Sequence, residues 1–491
     1  MATHAEPEIP AAGARAAAGS PSPAGTAPAG PDGPPPAETR VRLGERLAYS
    51  VGDIGGNLIF AAVSSFVLFY FTDTVGIGAA IAGTIILLGR VLDGTMDLVV
   101  GTLIDKTRTR WGKARPWILL STPIVVLAFI GLFNVPAGLG DTGKQIYAFV
   151  FYFLCLAIGY TGSNLAYHTL LSVITSDGKT RVSLTVMRTF AALLATLVVN
   201  FFTIPLLGAF GGGQGGWSTI VLIYGVIAAI TFIVVFLGTK ERVSTVVETD
   251  RSSTRPVGEL IRILVKNPYF YLGFALFFTQ FLASGVGGAG IYFARDVLGD
   301  ASLYSFFSLA SIGPLLVGMW FMPAITARFG KRLPFLVGSA MAVAGLVVAL
   351  VDPTNFTLVI AGTVVKAIGT IPVSAALFAL VADIVDYGEW KSGVRVDAMT
   401  YSAATAGQNL GAGVGAALVG WLLAAAQYDG TAEVQPQSAV DMEVFLFLGI
   451  PLIVYVLQFV IVIFLNLDRF QPRMTEELQA RRTGSIRVIK D

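Results

Sequence analysis

The chain has 491 residues, 54% of them hydrophobic and only 13% charged, with a mean hydropathy of +0.73 and a net charge of +2. Soluble domains carry about a quarter charged residues, so the composition excludes a soluble protein and points to lipid as the surrounding solvent. The near-neutral balance gives no ground for a nucleic-acid partner, and the single cysteine, Cys155, excludes an intrachain disulfide framework.

Residues 1–40 hold nine of the 23 prolines, interleaved with Ala, Gly and Ser, and contain no apolar segment of signal-peptide type. This composition reads as a disordered tail. Beyond it, apolar runs alternate with short polar loops. Spans are predicted over 46–71, 80–104, 116–135, 145–172, 183–209, 218–238, 268–293, 302–326, 333–351, 356–382, 398–426 and 441–466. Each is long enough for an α-helix to cross a hydrocarbon layer of about 30 Å.

Lys and Arg set the expected orientation. Twenty-eight of the 33 fall in the tails and in the loops on one side. Only Lys144 and Arg295 fall on the other, and Arg90, Arg188 and Lys366 lie inside spans. This asymmetry predicts a plasma (inner) membrane protein with an even number of spans and both termini in the cytoplasm. The chain also repeats itself. Arg110-Trp-Gly112-Lys113 before Pro116-Trp117 recurs as Arg328-Phe-Gly330-Lys331 before Pro334-Phe335, at a constant offset of 218 residues. The predicted organisation is therefore a tail (1–40), a six-helix bundle (46–238), a cytoplasmic linker (239–267), a second six-helix bundle (268–466) and a C-terminal tail (467–491). An all-α polytopic protein built of two parallel six-helix halves has the major facilitator architecture, with a solute site between the halves.

A charge within hydrocarbon costs at least about 2.5–3.5 kcal/mol, so those present are candidates for function. Arg90, Asp93 and Asp97 share one face of the second span. One arginine beside two carboxylates leaves net negative charge, which a sodium ion or a proton would compensate. Asp53 and Asn57 lie one turn apart in the first span, with Asn57 near mid-depth and Asp53 toward the cytoplasmic rim. Tyr160, Thr161, Ser163, Asn164 and His168 make a polar run in the fourth span. Arg188 stands early in the fifth. Lys366 stands mid-way in the tenth, where it should face a wet cavity or a carboxylate. Thr405, Gln408 and Asn409 lie among glycines in the eleventh. No P-loop, Cys/His metal spacing or nucleophile elbow occurs, so neither nucleotide-driven transport by that route nor enzymatic chemistry is expected.

Asp73, Arg90-Val-Leu-Asp93-Gly-Thr-Met-Asp97, the loop Lys106–Trp117 and Ala382-Asp-Ile-Val-Asp-Tyr-Gly-Glu-Trp-Lys391 together resemble the glycoside–pentoside–hexuronide:cation symporters, a major facilitator family. The resemblance, covering about residues 46–466, implies symport of a sugar-like solute with Na+ or H+ and no other cofactor. It implies that Asp93 and Asp97 bind the cation, as metal ligands if the ion is sodium. Thr161 would assist as a helper hydroxyl, and Asn57 is expected to contribute too. Asn57, Asn164, Arg188 and Asn409 would bind the solute, with His168 and Lys366 at the margin. Asn57 and Asn164 stand where the family has sugar-binding aspartates. Asn409 stands where it has a lysine near the cation site, and His168 and Ser374 where it has tryptophans. The cation half is thus kept and the solute pocket rewritten. A hexuronide is the natural variant, its carboxylate pairing with Arg188. The alternative is a cation-coupled transporter or exporter of a non-sugar amphipathic solute or metabolite. The expected partners are a small solute and the bilayer, with the chain working as a monomer.

Overall fold

A computed structural model of the chain describes residues 41–175, 177–242, 257–432 and 434–482. The tail expected over 1–40 lies outside the described residues, as do residues 243–256 of the linker and 483–491 of the C-terminal tail. Twelve helical segments among the described residues are long and apolar enough to cross a membrane: α1 Leu43–Thr74, α2 Ala79–Lys106, α3 Arg115–Leu132, α4 Asp141–Ile174, α5 Gly178–Ala209, α6 Gly213–Gly238, α7 Pro268–Val297, α8 Ala301–Gly318, α9 Arg332–Val351, α10 Phe356–Ser392, α11 Asp397–Ala425 and α12 Gln437–Arg469.

Two boundaries differ from expectation in ways that have causes. The eighth span, expected to reach 326, ends at Gly318. A short helix, Met322–Phe329, starts separately, with Pro323 in its first turn, where a missing N–H costs nothing. The tenth runs on to Ser392 rather than 382 and closes on Gly393 at φ +69°. Its 37 residues span about 55 Å at 1.5 Å each, so it projects beyond the bilayer and carries Asp383, Tyr387 and Trp390 with it. The C-terminal segment continues as a helix, Gln471–Arg482, held to that projection. Trp390 Nε1 donates to Glu477 at 2.7 Å and Arg481 to the Trp390 carbonyl at 3.1 Å.

The repeat seen in the sequence is a structural repeat. α1 packs on α5 and α6, and α7 on α11 and α12; the contacts between halves, α2 with α11 and α5 with α8, are related by the same exchange. Each repeated glycine sits at positive φ, Gly112 at +105° and Gly330 at +72°. Each also leaves room for a carboxylate from the end of the last helix of its own half, Glu241 just past α6 and Asp468 in the final turn of α12. Glu241 accepts from the N–H groups of Lys113, Ala114 and Arg115 at 2.9–3.0 Å. Asp468 accepts from those of Lys331 and Arg332 at 2.7 and 2.8 Å. A Cβ at Gly112 would fall 2.1 Å from the Glu241 carboxyl carbon. The acids thus satisfy open N–H groups at the starts of α3 and α9. Beside this cap Arg242 grips Glu45 through both guanidinium nitrogens at 2.7 and 2.8 Å, and these hydrogen bonds hold its pKa above the ordinary value.

The halves meet most closely at the end away from these basic loops. There Gly420 approaches Gly83 and the Ala79 carbonyl so closely that a Cβ would come within 2.4 Å of that oxygen. Toward the basic end α2 and α11 present exposed side chains, Leu98 at 67% and Tyr401 at 37%. The molecule is therefore closed at the far end and open at the basic end, with cavities between the halves.

Candidate solute and cation site

Two adjoining cavities, sharing Asn57, Phe60 and Leu193, lie between the halves. The chamber nearer the basic end has a volume of about 600 Å³ and the other about 410 Å³.

The larger chamber contains the two aspartates of α2. Asp93 and Thr161 each lie 13 residues from the basic ends of their helices, Lys106 and Ile174. At 1.5 Å per residue both therefore sit about 20 Å in. A π-helical stretch, Leu154–Tyr160, immediately precedes Thr161, and such bulges turn the following side chains out of ordinary register. The Thr161 hydroxyl donates to Asp93 Oδ1 at 2.7 Å and lies 3.3 Å from Asp97 Oδ1. Asn409 of α11 completes the group, its amide directed at the Asp97 carboxylate. Arg90 does not compensate these charges. Its guanidinium turns away to Ser64 Oγ at 2.8 Å and over the Phe60 ring at 4.9 Å. Among the described residues neither aspartate has an ion-pairing Lys, Arg or His within 4 Å. Two carboxylates and a hydroxyl from α2 and α4 could together hold a sodium ion or take up a proton, with the Asn409 amide N–H on Asp97 from a third helix.

Arg188 lies beside this group but is already engaged. Its Nε is 3.0 Å from Asp53 Oδ2, with both side chains largely buried. The approach is off the N–H direction, so the contact is an ion pair rather than a formed hydrogen bond. Nη2 donates to His168 Nε2 at 3.0 Å, which places the ring proton on Nδ1. Nη1 reaches the Tyr49 hydroxyl at 3.4 Å. Asp53, expected at the cytoplasmic rim, thus lines the central chamber. The helix begins at Leu43, earlier than expected, which places Asp53 ten residues in, as Arg188 is from Gly178. Both are then about 15 Å deep. The carboxylate-binding role expected of Arg188 meets a guanidinium already paired.

Asn164 donates to the Tyr160 hydroxyl at 3.1 Å and lines the larger chamber with His168. Asn57 donates to the Asp53 carbonyl at 2.9 Å and faces both chambers; no hydrogen bond links it to Asp93 or Asp97 among the described residues. Asn409, expected with the solute, lines the larger chamber with Asn57 and Asn164 and stands in it beside the aspartate pair. Lys366 is in the smaller chamber, 5.8 Å from the Phe447 ring centre and, among the described residues, in no ion pair. Of the two surroundings expected for it, the structure supplies the cavity and not the carboxylate. The smaller chamber also holds a network the sequence reading missed. Gln458 donates to Gln280 at 3.1 Å, and Gln280 to Ser374 at 3.1 Å. Lone glutamines in the apolar runs of α7 and α12 were the available signal.

Residues 48–469 match the family described as MFS/sugar transport protein. The chain belongs to this family. The match agrees with the resemblance to the glycoside–pentoside–hexuronide:cation symporters, and it makes the protein a membrane transporter rather than an enzyme. The chain is 32% identical to the isoprimeverose transporter of Lactiplantibacillus pentosus, over 91% of this chain and 93% of that one. It is 26% identical to a putative 2,3-dihydroxypropane-1-sulfonate exporter of Salmonella typhimurium, over 91% and 98%. Among solved structures it is similar in fold to a bacterial homologue of the human lysosomal transporter Spinster. The TM-score is 0.63 at 15% identity, covering 86% of this chain and 96% of that one. The major facilitator fold expected from the repeat is thus the fold found.

Proposed function

We propose that this family member is a cation-coupled symporter of a sugar or glycoside, working by alternating access in the plasma membrane. The basic loops mark the cytoplasmic face, so the structure corresponds to the state open to the cytoplasm. The observation that carries the reading is the Asp93–Thr161–Asp97 group, a buried and a half-buried carboxylate held together by one hydroxyl and, among the described residues, without an ion-pairing basic group. Such a pair draws in Na+ or H+, and the cation in turn shapes the adjoining chamber. Asn57 and Asn164 suit a polyhydroxylated solute, because a carboxamide both donates and accepts. The chambers lie wholly within one chain, which fits a functional monomer. The relative named as an isoprimeverose transporter supports a glycoside.

A second reading has its own support. Lys366 offers a cation that, among the described residues, no carboxylate pairs with, and a relative carries the name of a sulfonate exporter. An acidic solute would then place its charge at Lys366 rather than at Arg188.

The test is uptake by the purified protein in proteoliposomes, with glycosides, pentosides and hexuronides supplied under imposed Na+ or H+ gradients. Asp93→Asn and Asp97→Asn should each abolish accumulation against a gradient. Concentrative uptake surviving in both variants would remove the cation assignment.

A further inference from the structure

At the end opposite the basic loops, one arginine ties the two halves together. Arg295 of α7 holds Asp296 with Nε and Nη2, each at 2.7 Å. Its Nη1 reaches across to the Asp73 carboxylate of α1. Tyr428, in the connection after α11, accepts from Arg295 Nη2 and donates to Asp73 Oδ1, both at 2.7 Å. The Thr72 hydroxyl adds contacts to Asp73 at 2.5 Å and to the Tyr292 hydroxyl at 2.9 Å. The cluster seals the cavities from that side.

A third carboxyl lies beneath it. Glu443 of α12 is wholly buried, and neither of its oxygens has a hydrogen-bond donor in the structure. The helical turn that carries it packs on the stretch Phe293–Val297, which carries Arg295 and Asp296, and its carboxyl faces that of Asp296. The groups facing it are Asp296, Arg295 and Tyr292 from α7 and Asp73 from α1. The last turns of α11 bring apolar residues and, beyond them, Tyr428. Three carboxyls therefore share one guanidinium, which gives four of its five N–H donors to Asp73, Asp296 and Tyr428 and none to Glu443. Two carboxyl groups can stay in contact without water only if a proton lies between them.

We propose that Asp296 and Glu443 form a proton-binding site that controls the far gate. With one proton shared by the pair, Asp296 keeps a single negative charge for Arg295 and the gate stays shut. When that proton leaves to the solvent on the same face, two adjacent negative charges repel. α7 and α12 shift, and Arg295 loses its grip on Asp73. The ligand is a hydron from the compartment on that face. The proposal rests on alternating access but not on the Asp93–Asp97 cation site, from which it is separate.

The test is a distance measurement between spin labels at Thr142→Cys and Gln437→Cys, exposed positions on the far face of the two halves, in the full-length protein in nanodiscs. The wild-type gate should be shut at low pH. A longer-distance population should appear as the pH is raised from about 4 to about 9, the range that ordinary and deeply buried carboxyls together span. Glu443→Gln imitates the protonated carboxyl and should hold the short distance throughout. Asp296→Asn should likewise remove the pH dependence, which guards against a misfolded single variant. The pH dependence should persist in an Asp93→Asn, Asp97→Asn protein, so that failure of the coupling-site reading would be seen separately. A wild-type distance independent of pH would overturn the proposal. So would a Glu443→Gln gate that opens with the wild-type pH profile, or a pH dependence lost with Asp93 and Asp97.

Discussion

The Asp53–Arg188 pair allows its contribution to be worked out from the structure. Unit charges 3.0 Å apart attract by roughly 5 kcal/mol at an effective dielectric of about 20. Much of this offsets the cost of drawing both groups out of water, so the intact pair adds little net stability. Removing one partner is different, because it strands the other. Arg188→Gln leaves Asp53 with an unanswered negative charge; Asp53→Asn leaves a guanidinium with the neutral groups Tyr49, His168 and the Tyr167 ring around it. Each single change should therefore cost about 3–5 kcal/mol, toward the lower end because the chamber admits water. The double variant should cost less than the sum of the two single losses, by a coupling of about 1–3 kcal/mol. Thermal unfolding of the purified protein in detergent, run as a double-mutant cycle, measures it. Additive losses would show that the two side chains do not act as a pair. A solute that gained affinity in Asp53→Asn would show that the free guanidinium becomes a binding group once its partner is gone.

Thr161→Val removes the hydroxyl that bridges the aspartates while keeping the side-chain volume. An unsatisfied buried acceptor costs about 1–3 kcal/mol, so cation affinity should fall roughly tenfold to a hundredfold, read by titrating cation-dependent solute binding; an unchanged affinity would remove Thr161 from the site. Lys366→Gln should leave thermal stability equal or raised, because no carboxylate is stranded, while weakening any acidic solute more than a neutral one. A clear loss of stability would reveal a partner for the ammonium group.

The spans were legible because hydrophobic length is a direct reading of bilayer thickness. The repeat was legible because Gly112 and Gly330 share one backbone task, a positive φ beside a capping carboxylate, that no other residue performs as well. The Asp93–Asp97 face was legible from helical spacing alone. Depth was less so. Asp53 was placed at the rim because the helix start was set at 46, and three residues of helix move a side chain by about 4.5 Å. Partners distant in sequence were not legible at all: nothing within α1 or α5 says that Asp53 and Arg188 face each other at equal depth. The lone Gln280 and Gln458 stood in plain view, but only their contact gives them meaning.

The distribution of fixed and breakable contacts shows how such a molecule can move. At the basic end several polar contacts among the described residues tie each half to itself. Glu241 caps α3, Asp468 caps α9, and Lys331 pairs with Asp383, so each six-helix unit is stiffened internally. Contacts between halves concentrate at the far end, through Gly420 against Gly83 and through Arg295 across to Asp73. Between these ends lie the chambers, with Asp93 and Asp97 on α2 and Asn409 on α11. A cation held at the aspartates therefore bears on the same pair of helices whose far ends close the gate. Rocking one half on the other would leave the caps intact, break the far contacts and part α11 from α2 at Asn409. Cation binding that draws Asn409 toward Asp97 acts on that contact directly, so occupancy of the aspartate pair and the position of the halves are linked through two helices rather than through the whole protein.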